Sequence, residues 1–561
     1  MKNFKNFLVA ALTIVIAVGG FVFWRGEPRV SVAATPKNII VVLTDDQRFD
    51  TLWAMNKVNQ RLVNNGVTFL NAFITTPICC PTRASLYSGG YFPKNTRVLT
   101  NNLENGGVLR YYDLNTIATL LQQNGYKTAL IGKYLNGYDN KMAPIVPPGW
   151  DKFVALKDDS DWNNFSVING SSTWSATSTG TEVQITQYMT DYLRDQALAF
   201  IEQYKAVPFI VFINTKAPHA PATPASGDKN LFSNFTNNRP SVNENNLNDK
   251  PQWVRDSADY ADPNPFARDQ LRSLQAVDRL VNQLWQRINL YNLVTKTHFV
   301  YTSDNGFLWG EHGLQRKAKA YEESIRVPLV IRSPEVVVKS STTTLDVAVN
   351  LDLGATILRW GGVSTTTDGL DLGPILRNEA TKSTWARENG IIFQNYGQEN
   401  TERYNPPLWL AWRTKLYKLV EYPTTGEKEF YDLTADPYEM QSKHNNSNFQ
   451  TLIAQYSANI AANDGLISPM TTSTLPVAQV GVPYSFQFPA LGGNPPLTWS
   501  LYGNKPLPPG LALSSSGFLS GTPTEAGTFT FDVEVTDSSV SPQNGRTQSF
   551  VAEKNSLTVN P

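Results

Sequence analysis

The sequence predicts two architectures in one chain: an α/β unit with a mainly parallel sheet flanked by helices, then a separate all-β sandwich. From Pro36 onward, β-rich runs alternate with amphipathic stretches, which is typical of βα units. Past about Gly465, apolar residues recur with period two between Pro/Gly turns, which is typical of a sandwich. At 561 residues the chain exceeds what one core can fill, so two or three domains are expected.

Short apolar runs give the predicted strands of the α/β unit: residues 39–44, 128–132, 209–214, 298–303 and 327–332. Between the first two strands, the pattern predicts a helix with Asn115 as its N-cap and Gly125 at its left-handed end. Leucine and valine at helical spacing predict a longer helix over residues 268–291. Residues 223–264 lack periodicity, so we expect a surface excursion that shapes a substrate pocket.

The expected domain organisation has five parts. They are residues 1–34 as a signal peptide or N-terminal membrane anchor, 35–380 as the catalytic α/β domain, 381–465 as a small C-terminal α+β subdomain, 466–474 as a linker and 475–561 as the sandwich. The subdomain is predicted from short antiparallel strands within residues 409–433.

The N-terminus and the charge balance indicate export and argue against some partners. Two lysines precede an uncharged, mostly apolar run over residues 7–24, and small residues follow it, as in a secretory signal or a retained membrane tether. We therefore expect a secreted, periplasmic or cell-surface protein. The 48 basic and 48 acidic residues cancel, so long-range attraction to nucleic acid is not expected.

Cys79 and Cys80 are the only cysteines in the chain, and they are adjacent. Consecutive Cα atoms lie about 3.8 Å apart, short of the roughly 4.4–6.8 Å of a disulfide, and no histidine is near enough in sequence for a zinc site. A chemical role is therefore favoured over a structural one. If a helix starts near Pro81, Arg83 points back beside Cys79 and the helix dipole adds positive potential, a setting that a thiolate nucleophile could use.

Charged and polar side chains follow four of the predicted strands, at the edge where ligands bind in parallel sheets. Carboxylate and amide oxygens favour a hard cation, calcium or magnesium, over zinc or copper. Lysines and a histidine could surround the other oxygens of a bound anion. Each residue alone fits a turn, a cap or a solvated loop, but their accumulation indicates a site. In chain order they are Asp45, Asp46, Lys133, His219, Asp304, Asn305, Glu311, His312 and Lys317.

The motif C-x-P-x-R that starts at Cys79, followed by ASLYSG, resembles the signature of the type I sulfatases, in which that cysteine is oxidised to formylglycine. TDDQ, GKYLNGY, APHAP, SDNGFLWGEHGLQRKAKAYEE and FYDLTADPYE match in family order between Lys37 and His444. CCPTRAS and GKYLN are most similar to the branch with N-acetylglucosamine-6-sulfatase and the heparan endosulfatases. In the sandwich, LPPGLALSSSGFLSGTP resembles immunoglobulin-like modules of bacterial exported proteins, for which a spacer or glycan-contact role is expected.

The resemblance implies an alkaline-phosphatase-like fold and hydrolysis of sulfate esters, with a sulfated carbohydrate such as glucosamine-6-sulfate, or a small sulfate ester, as substrate. It implies that a formylglycine-generating enzyme converts Cys79, that the hydrated aldehyde attacks sulfur, and that calcium, less readily magnesium, assists. Arg83 would orient the diol, and Lys133 would grip the sulfate. The residues so implied are Asp45, Asp46, Cys79, Asp304 and Asn305 for the ion; Cys79, Arg83, Lys133, His219 and Lys317 for catalysis; and His312 and Asn136 in supporting positions.

The sequence departs from the family pattern at two positions, and two other functions are also considered. Thr82 stands where many relatives have serine. Many arylsulfatases have histidine two residues after the matching lysine, whereas here Lys133 is followed by Tyr134, Leu135 and Asn136; Asn136 could supply a neutral contact, which fits the sugar-sulfatase branch. A phosphodiesterase or phosphonate monoester hydrolase could use the same aldehyde and geometry. A non-catalytic exported glycan-binding protein, with the sandwich as its working part, is the other function considered.

Overall fold

A ten-stranded sheet forms the centre of the catalytic unit. The computed structural model describes residues 37–158, 161–258, 261–343, 347–379, 387, 389–397, 406–464, 468–469, 475–491, 493, 495–541, 543, 545 and 547–561. The predicted signal or anchor, and all of the predicted linker except residues 468–469, lie outside this range. The described residues belong to one compact unit.

The strands of the large sheet are β1 (Asn38–Thr44), β2 (Val67–Phe69), β3 (Lys127–Gly132), β4 (Lys152–Asp158), β5 (Phe165–Gly170), β6 (Thr181–Ile185), β7 (Phe209–Asn214), β8 (Thr297–Ser303), β9 (Leu329–Arg332) and β10 (Ser341–Thr343). Across the sheet they run β10-β2-β9-β8-β1-β7-β3-β4-β5-β6. The central strands β8, β1, β7, β3 and β4 are parallel, whereas β9 runs antiparallel to β8, and β5 antiparallel to β4. The predicted mainly parallel sheet is confirmed, and all five predicted strands form within two residues of their expected ends.

Helices cover both faces of the sheet because alternate residues of each strand point to opposite sides. The longer ones are α1 (Cys79–Tyr87), α2 (Ile117–Gln123), α3 (Met189–Tyr204), α4 (Asn264–Leu290), α5 (Asn350–Trp360) and α6 (Gln450–Asp464). Ile39 and Val41 of β1 belong to the core shared with α1, α2 and α5, whereas Ile40 and Val42 belong to the core shared with α3 and α4. None of the described helices is long and apolar enough to cross a membrane.

The N-cap predicted for α2 is wrong by one residue. Thr116, not Asn115, caps the helix: its hydroxyl accepts from the Thr119 backbone N–H, and the Thr119 hydroxyl accepts from the Thr116 N–H. This reciprocal capping box satisfies two groups at once. The Asn115 side chain instead donates to the carbonyl of Gln543 in the sandwich, at 3.1 Å. Gly125 does take the left-handed conformation at the end of α2, with φ of 82°.

Shorter elements complete the catalytic unit. The excursion over residues 223–264 has little regular structure among its described residues apart from a turn of 3-10 helix, Ser226–Asp228, the helix Gln252–Ser257 and the first residue of α4. The other short α-helices are Asn56–Arg61, Pro93–Thr96, Gly107–Arg110, Glu322–Ile325 and Gly373–Leu376. Two-stranded pairs form between Ala72–Phe73 and Ala348–Val349, Leu308–Trp309 and Gln315–Arg316, and Ile145–Val146 and Ser178–Thr179.

The C-terminal part contains an antiparallel sheet and a sandwich. The small sheet, β11 (Ile391–Asn395), β12 (Trp409–Arg413), β13 (Tyr417–Tyr422) and β14 (Glu427–Asp432), packs against α6. The sandwich has β15 (Ala478–Gln479), β16 (Tyr484–Gln487), β17 (Thr498–Tyr502), β18 (Leu511–Leu513), β19 (Phe518–Gly521), β20 (Gly527–Val540) and β21 (Thr547–Asn560). Its sheets are β15-β21-β20-β17 and β16-β19-β18, around Phe531, Val533 and Trp499. Ser468–Pro469, within the predicted linker, pairs with Ala490–Leu491 of this domain.

Candidate active site

The carboxyl ends of β1 and β8 meet the N-terminal end of α1 at one edge of the sheet. Asp45 and Asp46 follow β1, Asp304 and Asn305 follow β8, and Cys79 is the first residue of α1. One ligand atom from each of Asp45, Asp46, Cys79 and Asp304 lies within 4.8 Å of the other three, and all four residues are buried. This cluster could hold a metal ion.

An unpaired buried oxygen points to a cation in this cluster. Asp46 has φ of 66°, a left-handed conformation uncommon outside glycine, and its N–H donates to Asp304 Oδ1 at 3.2 Å. Asn305 Nδ2 donates to Asp46 Oδ1 at 2.7 Å, whereas Asn305 Oδ1 is buried without a hydrogen-bond partner among the described residues. A buried amide oxygen beside carboxylates needs a positive partner. The donor set therefore fits a hard divalent cation.

Arg83 joins the start of α1 to the carboxylates. The helix begins at Cys79, two residues before the predicted start near Pro81, which still lies in the first turn where its missing N–H costs no hydrogen bond. The buried Arg83 guanidinium donates through Nε to Asp304 Oδ2 at 2.8 Å and lies 3.5 Å from Asp45 Oδ2. Arg83 thus fixes the carboxylates relative to α1.

Two lysines reach the same cluster from different loops. Lys133, directly after β3, pairs with Asp45. Lys317 Nζ lies 2.5 Å from Asp46 Oδ1 and 2.8 Å from Cys79 Sγ. Both lysine side chains are about 15% exposed, whereas the carboxylates that they contact are buried.

His219 is the most exposed of the predicted site residues that contact the cluster. Its Nε2 lies 3.7 Å from Asp46 Oδ2, and a third of its side chain is open to solvent. Its Nδ1 lies 2.8 Å from the Ala220 carbonyl, which orients the ring. With the two lysines, His219 gives the entrance three groups that can carry positive charge, which suits an anionic ligand.

Burial and crowded charges shift the titration of the cluster. Burial opposes ionisation of Asp45, but Lys133 and the other cations outweigh it and hold the pKa of Asp45 well below its ordinary value. Burial and the neighbouring Asp45 raise the pKa of Asp304. Burial, with the Asp45 carboxylate adding to it, raises the pKa of the Cys79 thiol to about 12. The unmodified side chain is therefore a neutral thiol, not the thiolate nucleophile that the sequence left open.

The two predicted supporting residues make their contacts elsewhere. His312 is buried, its Nδ1 lies 2.7 Å from Glu244 Oε2 of the excursion, and its ring stacks on Tyr321 at 4.2 Å. Burial lowers the pKa of His312 to about 3, so the ring is neutral. The carbonyl of Asn136 accepts from the Val108 N–H at 2.9 Å, and its Oδ1 is buried without a partner among the described residues. Both residues contact the loops around the site rather than the cation cluster.

Sequence reasoning missed two residues that support the site, Asn101 and Arg48. Asn101 Oδ1 accepts a hydrogen bond from the Cys80 N–H at 2.9 Å, at the first turn of α1. Arg48, next to the TDDQ motif, forms a buried ion pair with Glu311 at 2.8 Å. Glu311 was among the predicted site residues, and the structure places it in this ion pair rather than at the cation cluster. Arg48 had a weak signal, since it follows TDDQ directly, but Asn101 lies in an unremarkable loop and had none.

Comparisons with known proteins identify the family. The family model described as Sulfatase matches residues 37–363. The chain belongs to the sulfatase family, a family of sulfuric ester hydrolases. The model described as N-sulphoglucosamine sulphohydrolase, C-terminal, matches residues 310–464 of this sulfatase, and that of an Ig domain matches residues 466–553.

Curated relatives and solved structures extend the comparison. Human N-acetylglucosamine-6-sulfatase is 32% identical over 395 residues, which are 66% of this sulfatase and 70% of the human protein. A Sulf-1 homologue of Caenorhabditis elegans is 32% identical over 341 residues, which are 58% of this chain but only 47% of the nematode protein. The chain thus spans about half the length of that relative.

Two solved structures show the shared fold. The structure of BT4656 in complex with its substrate D-glucosamine-2-N,6-O-disulfate has a TM-score of 0.66 at 23% identity, covering 76% of this chain and 97% of that one. The phosphonate monoester hydrolase of Agrobacterium radiobacter has a TM-score of 0.58 at 17% identity, covering 76% and 95%. The predicted alkaline-phosphatase-like architecture of a sulfatase is confirmed.

Proposed function

We propose that this chain is an exported sulfatase that hydrolyses O-sulfate esters of sugars, of the glucosamine-6-sulfate kind. The observation that carries the proposal is the convergence of Asp45, Asp46, Asp304 and two lysines on Cys79, the residue that matches the family's modified cysteine. Such a site binds a compact anion beside one reactive side chain. A sulfate ester is the anion that fits the family.

The cluster fits calcium, and residue 79 fits formylglycine. Asp45, Asp46, Asp304 and Asn305 would hold the ion through oxygen atoms, and the ion would supply positive charge that polarises a sulfate oxygen. The oxidised side chain of residue 79, as a hydrated aldehyde, would supply the nucleophilic hydroxyl. A formylglycine-generating enzyme would make it during maturation.

The other side chains of the site position and neutralise the sulfate. Arg83 would hold the oxygens of residue 79 in place, because its guanidinium already joins α1 to Asp304. Lys133 would bind a sulfate oxygen from the β3 side. Lys317 lies within hydrogen-bond distance of Cys79 Sγ and would stabilise negative charge as the ester bond breaks. His219, at the entrance, would donate a proton to the leaving sugar oxygen.

The nature of the substrate is supported by the relatives. The human relative acts on N-acetylglucosamine-6-sulfate by its name, and BT4656 was solved with a sulfated glucosamine. The N-terminal residues 7–24 support export, with either cleavage or retention as a tether. The sulfatase would then meet its sulfated carbohydrate outside the cytoplasm.

The test is a comparison of substrates on purified protein with residue 79 converted. Turnover of glucosamine-6-sulfate is compared with that of an isomer sulfated elsewhere on the ring, and aryl sulfate with an aryl phosphate diester. Preference for the 6-sulfate over its isomer, and for sulfate over phosphate, supports the proposal. Lack of turnover of every sulfate ester by fully converted, calcium-loaded protein would overturn it.

A phosphodiesterase or phosphonate monoester hydrolase is the second candidate. The shared fold with the Agrobacterium enzyme favours it, and the cation cluster with its lysines would also suit a phosphoryl group. Dominant turnover of the phosphate diester in the same assay would select it. A non-catalytic glycan-binding protein would show binding of sulfated sugar without turnover of either ester.

A further inference from the structure

The C-terminal sandwich packs on the stretch of chain that supports the start of α1. We propose that Asn105 is a positioning residue through which the sandwich fixes residues 99–107, called the support loop here, and thereby residue 79. The expected effect on turnover rests on the proposed sulfatase function, whereas the expected effect on the α1 backbone does not.

Asn105 completes the open edge of a sandwich strand. Its buried side chain donates through Nδ2 to the Val551 carbonyl at 2.8 Å, and its Oδ1 accepts from the Val551 N–H at 2.7 Å. β21 pairs with β20 along most of its length, but on its other side β15 covers only Val559 and Asn560. The amide of Asn105 therefore satisfies the two backbone groups that a neighbouring strand would otherwise satisfy.

Contacts of the residues before Asn105 also hold the sandwich against the catalytic unit. Arg97 Nη2 donates to Ser549 Oγ at 2.7 Å, and Ser541 Oγ donates to the Asn95 carbonyl at 2.6 Å. Leu99, at the start of the support loop, is 3% exposed and belongs to the apolar core of the sandwich. The docking surface thus combines an inserted apolar side chain with buried, paired polar groups, as stable interfaces do.

The support loop carries this attachment to α1. The loop is closed by a hydrogen bond from the Leu99 N–H to the Asn105 carbonyl, at 2.8 Å. Between these two residues, Asn101 Oδ1 accepts from the Cys80 N–H. That N–H is one of the first-turn donors that a helix cannot satisfy internally. One residue of the loop is therefore bound to the sandwich, and another to the residue beside Cys79.

Loss of the Asn105 contacts should loosen the first turn of α1 without removing any group that touches substrate. Misplacement of a reacting group by a fraction of an ångström lowers turnover more than binding, so we expect kcat of Asn105→Ala to fall about 10-fold and KM to change less than about 2-fold. Amide exchange in the peptide that covers residues 76–88 should become faster.

The experiment uses the full-length protein with Asn105→Ala, and Ser541→Ala as the matched control. Both substitutions remove buried hydrogen bonds between the sandwich and the catalytic unit, but Ser541 contacts Asn95, outside the support loop. Hydrogen exchange of residues 76–88 is measured together with kcat, KM and the converted fraction of residue 79. The control should leave both exchange in this peptide and kcat unchanged.

Asn101→Ala provides a second variant that leaves the docking surface intact. It should reproduce the faster exchange and the lower kcat, and combination with Asn105→Ala should add less than the sum of the two effects, because both act along one route. Unchanged exchange in Asn105→Ala and Asn101→Ala, or an equal increase in Ser541→Ala, overturns the positioning role. If wild-type protein turns over no sulfate ester, the proposed function fails, and the exchange data still decide the role of Asn105.

Discussion

The catalytic edge of the sheet is held by contacts between charged groups, whereas the central contacts of the docking surface of the sandwich are neutral. At the edge, buried carboxylates from Asp45, Asp46 and Asp304 face cations within hydrogen-bond or ion-pair distance. At the docking surface, the central contact is the neutral amide of Asn105 on a strand edge, with Leu99 inserted in an apolar core. The first region concentrates charge for chemistry, whereas the second uses complementary neutral groups to hold a shape.

The difference explains why the sequence reveals the catalytic edge but not the docking surface. Crowded charges are costly to bury, so they persist where a ligand or reaction needs them. A neutral hydrogen-bonded interface has no such cost and leaves no chemical signature in the sequence. Substitutions at the edge should therefore abolish turnover at small cost in stability. Substitutions at the docking surface should lower stability and leave turnover nearly unchanged, unless they lie on the support loop.

The largest expected effect comes from residue 79. Cys79→Ala should lower kcat by at least about 10³-fold, since the nucleophile is lost while the fold is retained. Cys80→Ala is the matched control, because Cys80 is equally buried but packs in the apolar core. It should cost about 1 kcal/mol of stability and keep kcat within about 3-fold. Turnover and the midpoint of thermal unfolding check both, and residual near-wild-type turnover in Cys79→Ala would refute the assignment.

The second largest loss of turnover is expected at Asp304, because this residue contacts Arg83 and belongs to the cation cluster. We expect Asp304→Asn to weaken calcium binding and to lower kcat by about 10²–10³-fold. Asp278→Asn is the control: Asp278 is also a buried carboxylate, but it accepts from the N–H groups of Lys57 and Val58. The control should unfold at a lower temperature and still bind calcium. Calorimetric titration with calcium decides, and equal affinity in the two variants would contradict the ligand assignment.

Lys317 is expected to have an intermediate effect. Lys317→Ala should lower kcat by about 10²-fold, because its ammonium lies at Cys79 Sγ and would stabilise charge on the reacting group. Lys319, two residues later, is buried and donates to the Gln315 carbonyl at 2.8 Å. Steady-state kinetics of Lys317→Ala and Lys319→Ala should differ by at least 10-fold in kcat. Similar losses in both would indicate a structural role for this segment.

The smallest effect is expected at the rim of the docking surface. Arg110 Nη1 lies 3.4 Å from Glu534 Oε1, and both side chains are partly exposed. An ion pair of this kind contributes about 0–1 kcal/mol and is screened by salt. Arg110 Nε also donates to the Glu104 carbonyl of the support loop at 2.6 Å, so the variant that removes only the ion pair is Glu534→Ala. This variant should shift the unfolding midpoint by at most a few degrees, and the shift should shrink at high ionic strength. A large, salt-independent loss of stability would show that the rim, rather than Asn105 and Leu99, holds the sandwich.

The strand ends were predictable, and with them most of the catalytic edge. Asp45, Asp46, Asp304 and Asn305 follow apolar runs that could only be central strands, so a parallel sheet places them together. The start of α1 was expected near Pro81 and lies two residues earlier, at Cys79. Lys317 was expected at the same edge, but its contacts with Asp46 and Cys79 could not be predicted, since the loop that carries it has no regular pattern.

The contacts of the docking surface could not be predicted from local patterns. Asn105 and Val551 are 446 positions apart, and neither lies in a segment whose periodicity identifies its partner. The misplaced N-cap of α2 has the same origin, because Asn115 is a good capping residue that the sandwich engages instead. Contacts between the sandwich and the catalytic unit determine both the partner of Asn105 and the N-cap of α2.

The most direct test of the account is the electron density of protein crystallised with calcium after conversion of residue 79. The account predicts one ion within about 2.3–2.6 Å of oxygens from Asp45, Asp46, Asp304 and Asn305, with the oxidised side chain of residue 79 beside it. An ion bound elsewhere, or lysine ammonium groups still paired with Asp45 and Asp46 in calcium-saturated crystals, would contradict it.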